Sequence, residues 1–216
     1  MEKILTFSEC FDPYISKFTK ITLDKEHESK LAGAISAKYN KRKAKNPPMT
    51  EIERNSYRKL FLNIAGDVVM EQYLDLDFVD YDKISFGLKE PFINKIITNK
   101  KIDIVTFNYG NFPLVYDKTY KKTIFICASP ENKRDYYICG LGTPKMIDGY
   151  SKKELVQSEY YRNMGKSAFY AFYNLSFFFS NGIDPERHKA LRRSSSRSVT
   201  FIGCSQVAQV QFLENT

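Results

Sequence analysis

The chain is short of the side chains that soft-metal and nucleophile chemistry need. It has two histidines, His27 and His188, and four cysteines, Cys10, Cys127, Cys139 and Cys204, none in a CxxC spacing. A structural zinc site draws on several closely spaced thiolates and imidazoles, so this inventory argues against one. Both histidines stand in highly charged surroundings, KEHES and ERHKAL, and neither borders a nucleophile elbow, which argues against a Ser-His-Asp or Cys-His device. Cys127 in TIFICA and Cys139 in YYICG read as small buried hydrophobes. With no export signal in MEKILTFSEC, the thiols are expected to stay reduced in a cytoplasmic, intracellular setting. No stretch approaches the roughly 18 apolar residues of a membrane span; apolar-aromatic runs such as Leu175 to Phe179 are far too short. Any metal chemistry therefore falls to carboxylates and a hard ion such as Mg2+.

What is abundant is positive charge. Thirty-three lysines and arginines against 25 acids give a net charge of +8 on 216 residues, 43% of which are hydrophobic. That length and composition fit one domain with its own core and exclude global disorder. The cations cluster: Lys38, Lys41, Arg42, Lys43 and Lys45; Lys95, Lys100 and Lys101; Lys118, Lys121 and Lys122; Arg187, Lys189, Arg192, Arg193 and Arg197. Clustered cations neutralise phosphates and release counterions, so a polyanion is the natural partner. Lys41, Arg42, Lys43, Lys121, Lys122, Arg192 and Arg193 are the expected nucleic-acid contacts. Tyr39, Tyr109 and Tyr120 interleave with the clusters as rings for base stacking. A solvated face, or a surface for an acidic protein, is the competing reading of the same charge.

Periodicity orders the elements. A short helix is expected within 7–20, with Ser8 as its cap and Pro13 in its first turn, and a second helix over 24–45, opened by Asp24 and stopped by Pro47 and Pro48. Thr50 and Glu53 form a capping box ahead of Tyr57, Leu60, Phe61, Ile64, Val68 and Val69, which recur at three and four and predict an amphipathic helix over about 51–74. Residues 76–88, 101–107, 121–128 and 135–141 read as strands, the last two joined by a turn at 130–132. A further helix is expected from 151 to about 178, with Phe169, Phe172, Tyr173 and Phe177 on one face. Helices, then strands, then helix predict an α+β or α/β fold with a central mixed sheet flanked by helices. Residues 1–183 are expected to form one domain, 184–198 a basic mobile loop and 199–216 a strand-like tail. Gly140-Leu141-Gly142 lacks the third glycine of a dinucleotide fingerprint, and Gly165-Lys166-Ser167 lacks the upstream glycine of a P-loop.

Three acids interrupt apolar patterns. Glu71 lies seven residues after Ile64 and three after Val68, on or near the core-facing stripe, where a carboxylate is costly unless paired or metal-bound. Asp80 and Asp82 sit in FVDYDKISFG, and Asp103 inside KIDIVTF. A helix carrying Glu71, then strands carrying Asp82 and Asp103, resembles the PD-(D/E)xK nuclease superfamily over about residues 50–160. The resemblance implies a restriction-endonuclease-like fold and a Mg2+-dependent DNA endonuclease, restriction- or phage-type. It implies Glu71, Asp82 and Asp103 as metal ligands, with Glu71, Asp103 and Lys101 as catalytic residues. Double-stranded DNA is the implied partner and a homodimer a further possibility. The sequence departs from the motif where Val105 stands in place of its lysine. Alternation puts Lys101 on the face of Asp103, KxD instead of DxK. Two outcomes stay open: a migrated lysine that preserves cleavage, or a non-catalytic nucleic-acid-binding protein on the same kind of fold. Each residue also has a plain reading, Glu71 as an exposed helix glutamate, Asp80 and Asp82 as turn residues, Asp103 as a strand end and Lys101 as part of an exposed loop.

Overall fold

The capping box at Thr50 starts the helix around which the core is built. Thr50 Oγ1 accepts the Glu53 amide at 3.3 Å while Glu53 Oε2 accepts the Thr50 amide at 2.8 Å, so two orphan donors are satisfied at once. In the computed structural model, which describes residues 5–42, 50–75, 79–83 and 102–176 (backbone only at 38–42 and 83), this helix is α3, Glu51–Leu74. It ends where Asp75 takes a left-handed conformation at φ 56°. Ahead of it lie α1, Phe7–Phe11, and α2, Lys25–Arg42. The cap of α1 is Thr6 paired with Glu9 rather than Ser8, and Pro13 falls in the 3-10 stretch Asp12–Lys17 that follows. Asp24 opens α2 as expected, accepting the His27 amide at 2.8 Å. The prolines at 47 and 48 lie outside the described residues.

Four strands form a mixed sheet: β1 (Thr19–Thr22), β2 (Ile102–Asn108), β4 (Lys122–Ala128) and β5 (Asp135–Gly142). Their order is β1-β5-β4-β2, with β2 and β4 parallel and the other two pairs antiparallel. A second, antiparallel sheet has the order β3-β7-β6, from Leu114–Tyr116, Lys166–Phe169 and Ser151–Lys152. Two short helices flank β6: α4 (Pro144–Gly149) lies between β5 and β6, and α5 (Glu159–Asn163) between β6 and β7. The architecture is α+β with a mixed sheet and helices. Among the described residues no helix is long and apolar enough to cross a membrane.

The large sheet has two cores because strand side chains alternate. On one face α2 and α3 bring Leu31, Ile35, Ile64 and Val68 against Ile102, Ile104, Ile124, Ile126 and Ile138. On the other, α1 and the second sheet bring Phe7, Phe11, Phe169 and Phe172 against Phe107, Phe125, Cys127 and Cys139. The two sheets meet where Phe125 and Phe169 stack at 4.7 Å between ring centroids. Gly140, at φ +132°, has the carbonyl oxygen of Ser176 2.8 Å from where a Cβ would stand. Only glycine lets the chain pass there, and Leu141 and Ser176 pair through two 3.0 Å hydrogen bonds.

Two expectations are corrected. Among the described residues, 151–176 hold no long helix: they run strand, short helix, strand and the 3-10 turn Phe172–Asn174. Phe169 and Phe172 are buried as expected whereas Tyr173, expected on the same face, is 48% exposed; a strand end followed by a turn meets the same spacing, and aromatic residues favour strands. Phe177 lies outside the described residues. Within 76–88 the described part is not a strand, since Tyr81–Lys83 forms a 3-10 turn. The segments 184–198 and 199–216 also lie outside the described residues.

Candidate functional site

Residues 64 to 71 of α3 are buried without a break, including Asp67 at 1% exposure and Glu71 at 4%. Glu71 is engaged by the protein itself. Its Oε2 accepts the Val79 amide at 2.5 Å, and its Oε1 accepts the Tyr81 hydroxyl at 3.3 Å. His27 Nε2 lies 3.7 Å from the same Oε1, while His27 Nδ1 is 2.8 Å from Asp24 Oδ2. Gln72 completes the tie, accepting the Asp24 amide at 3.0 Å and donating to the Thr22 carbonyl at 2.9 Å. The Asp24 carboxyl is held below its usual range, chiefly by the His27 amide it caps. Glu71 therefore fastens α2, α3 and the 79–81 segment together.

Asp82 is exposed, with its amide 3.2 Å from Asp80 Oδ1. Asp103 is half-buried in β2 and accepts the Ile104 amide at 3.1 Å. Its neighbours Ile102 and Ile104 pack under α3, whereas Val105 and Phe107 belong to the aromatic core on the opposite face. Alternation puts Asp103 on that second face, and its charge acts on Lys166 of β7. The sheet thus stands between Glu71 and Asp103. Among the described residues no three His, Cys, Asp or Glu side chains gather closely enough to hold a metal ion. Glu71 and Asp103 thus stand on opposite faces of the large sheet, Glu71 toward the core covered by α2 and α3 and Asp103 toward the aromatic one, while Asp82 is exposed in the 3-10 turn. Lys101 lies outside the described residues. Sequence reasoning did not single out Asp67, His27 or Tyr81; the spacing of four between Asp67 and Glu71 on a buried helix was the available signal.

The basic side is better assembled. Between β3 and β4 the loop 117–121 turns through Lys118, held in a left-handed conformation at φ 56°. It presents Tyr120 at 92% exposure. Lys118, Thr119 and Tyr120 line an open depression of about 230 Å3, closed on the other side by Pro144, Lys145 and Asp148 of α4. Lys121 is half-buried beside it. Lys122 differs from expectation, since its amine is buried at the start of β4 and is withdrawn from any external phosphate. Lys41 and Arg42 end α2 but their side chains are not among those described, and Lys43, Arg192 and Arg193 lie outside the described residues.

Tyrosines and lysines continue along the second sheet. Tyr116 pairs with Lys166 across β3 and β7. The Lys166 amine sits 4.6 Å from the Tyr116 ring centre and 5.6 Å from that of Tyr161, a double cation–π contact. Burial draws that amine below the ordinary lysine range against the pull of Asp103. Tyr160 meets Tyr161 edge-on at 5.5 Å and is 67% exposed. Asp117 accepts the Ser167 hydroxyl and lies 2.8 Å from Lys153. Desolvation works to raise the Asp117 carboxyl, but these two partners prevail and hold it below its usual range. Asp117 thereby ties the loop carrying Tyr120 to the strand carrying Lys166.

Compared with protein-family models, with curated proteins and with solved structures, the chain finds no match.

Proposed function

We propose that the protein binds nucleic acid without cutting it, through the surface formed by loop 117–121, the start of α4, and the α5–β7 unit. The observation that carries this reading is Tyr120, almost wholly exposed between Lys118 and Lys145 on a chain of net charge +8. Lysines neutralise phosphates and release their counterions. Exposed rings supply stacking faces. A competing reading is a Mg2+-dependent DNA endonuclease of restriction-endonuclease-like fold. The order of α3 followed by β2, β4 and β5 supports it. Glu71 and Asp103, on opposite sides of the sheet, do not fit one shared ion.

The test is binding of labelled DNA as a function of salt, together with incubation of supercoiled plasmid in Mg2+. Wild-type protein is expected to bind and to leave the plasmid intact. Lys118→Glu with Lys145→Glu is expected to weaken binding roughly tenfold and to flatten the salt slope by about two, one for each phosphate that is no longer neutralised. Unchanged affinity and slope in that double variant would remove this surface from the reading. Plasmid nicking that is abolished by Asp103→Ala would establish the endonuclease instead.

A further inference from the structure

We infer that the polynucleotide this surface takes is single-stranded, with unpaired bases stacked on Tyr120 and Tyr160 and its phosphates facing Lys118 and Lys145; this rests on the nucleic-acid reading and narrows it. Three observations lead there. The first is the exposure of the rings: Tyr120 at 92%, Tyr160 at 67% and Tyr116 at 53%. In a duplex each base face is already covered by its neighbours, so a protruding ring has nothing to stack on. In a single strand every base has a face to offer.

The second is the shape of the elements that carry the rings. Base readout in a major groove needs a helix or a two-stranded ribbon that reaches into it. Here Tyr160 stands on α5, which spans only Glu159–Asn163, Lys145 on α4, which spans only Pro144–Gly149, and Tyr120 on a loop. None of these is a long helix or a two-stranded ribbon.

The third is preorganisation. Lys166 fills the space between Tyr116 and Tyr161, and Tyr160 leans edge-on against Tyr161. Lys153 and Ser167 hold Asp117 at the base of the loop. Side chains ordered before binding lose less entropy when a ligand arrives. Lysine heads act as point charges toward phosphate and carry no base specificity, so sequence-tolerant binding is expected.

Fluorescence anisotropy of the full chain with labelled oligothymidine, oligouridine and a hairpin duplex of matched length tests the inference. Both single strands are expected to bind at least about tenfold more tightly than the duplex. Tyr120→Ala and Tyr160→Ala are each expected to weaken single-strand binding roughly tenfold, the effect of removing one base stack, while the phenylalanine replacements retain it and duplex binding stays unchanged. Tyr120 touches the fold so little that an unaltered melting temperature should accompany its replacement. Preference for oligouridine or for oligothymidine assigns the strand as RNA or DNA, and both outcomes support the inference. Equal or tighter duplex binding, or alanine variants that bind single strands as wild type does, overturns the single-strand inference and leaves nucleic-acid binding standing. Failure to bind any of the three probes overturns both.

Discussion

Gly66→Ala is expected to destabilise the protein by about 3 kcal/mol, at the upper end for overpacking a core. Gly66 on α3 faces Thr106 and Ile104 of β2. A Cβ there would stand 2.0 Å from Thr106 Oγ1, 3.2 Å from Thr106 Cβ and 3.1 Å from Ile104 Cγ2. Alanine is the better helix former by about 1 kcal/mol, so the helix propensity and the packing cost oppose each other, and a 2.0 Å approach decides in favour of cost. Thr106 must turn about χ1 and the helix must move a few tenths of an ångström off the strand to clear Thr106 Cβ and Ile104 Cγ2, loosening the packing of Ile64, Val68 and Val69 on Ile102 and Ile104. Thr106 Oγ1 is buried without a hydrogen-bond partner, so removing it forfeits no bond. Thr106→Ala in the Gly66→Ala background should therefore recover about 1 kcal/mol or more, a non-additivity that distinguishes a steric clash from a general weakening of the helix. Urea unfolding of the two single variants and the double variant measures it.

Asp135→Ala is expected to cost about 2–3 kcal/mol at neutral pH, because three partners lose one buried acceptor. Asp135, at 6% exposure, opens β5 opposite Thr22 of β1. Its Oδ1 accepts the Thr22 hydroxyl at 2.7 Å and the Asn132 side-chain amide at 3.2 Å, and its Oδ2 lies 2.7 Å from the Lys20 amine. The group thus joins β1 to β5 and shapes the β4–β5 turn. Lys20 is nearly half exposed, so water screens the ion pair and the hydrogen bonds carry most of the cost. The Lys20 hydrogen bond, followed by that of Thr22, holds the Asp135 carboxyl below its ordinary value. The sign follows from that depression. The ionised form is preferred in the folded state, so its stabilisation is complete above the unfolded value of about 3.9 and disappears as pH falls through the folded value. The stability gap between wild type and Asp135→Asn should accordingly be wide near neutrality and narrow in acid. A gap that does not change with pH would contradict it.

The parts of the fold that the sequence disclosed are those set by local rules. Thr50 with Glu53, and the apolar positions of α3, specify a helix wherever it packs. KIDIVTF, KKTIFICA and DYYICGL are too apolar and β-branched to read otherwise. The acids show where local rules stop. Periodicity marks Glu71 and Asp103 as facing a core but does not say which one, and the large sheet has a core on each face. That choice is made when α3 settles on the even-numbered residues of β2, a tertiary event with no local signature. The tyrosine surface divides in the same way. Tyr120 was legible as a ring among lysines. Tyr116 beside Lys166 was not, because only the pairing of β3 with β7 brings them together. His27, set among charged neighbours in the sequence, lies between Asp24 and Glu71 for the same reason.

Amide hydrogen exchange of the full chain, with and without a saturating single-stranded oligonucleotide, locates the binding surface directly. Added protection is predicted over 116–121, 144–149 and 159–166, with none in α3 or at 79–82. Protection centred on Glu71, Val79 to Asp82 and Asp103, with loop 117–121 unaltered, would contradict the assignment of binding to the lysine and tyrosine surface.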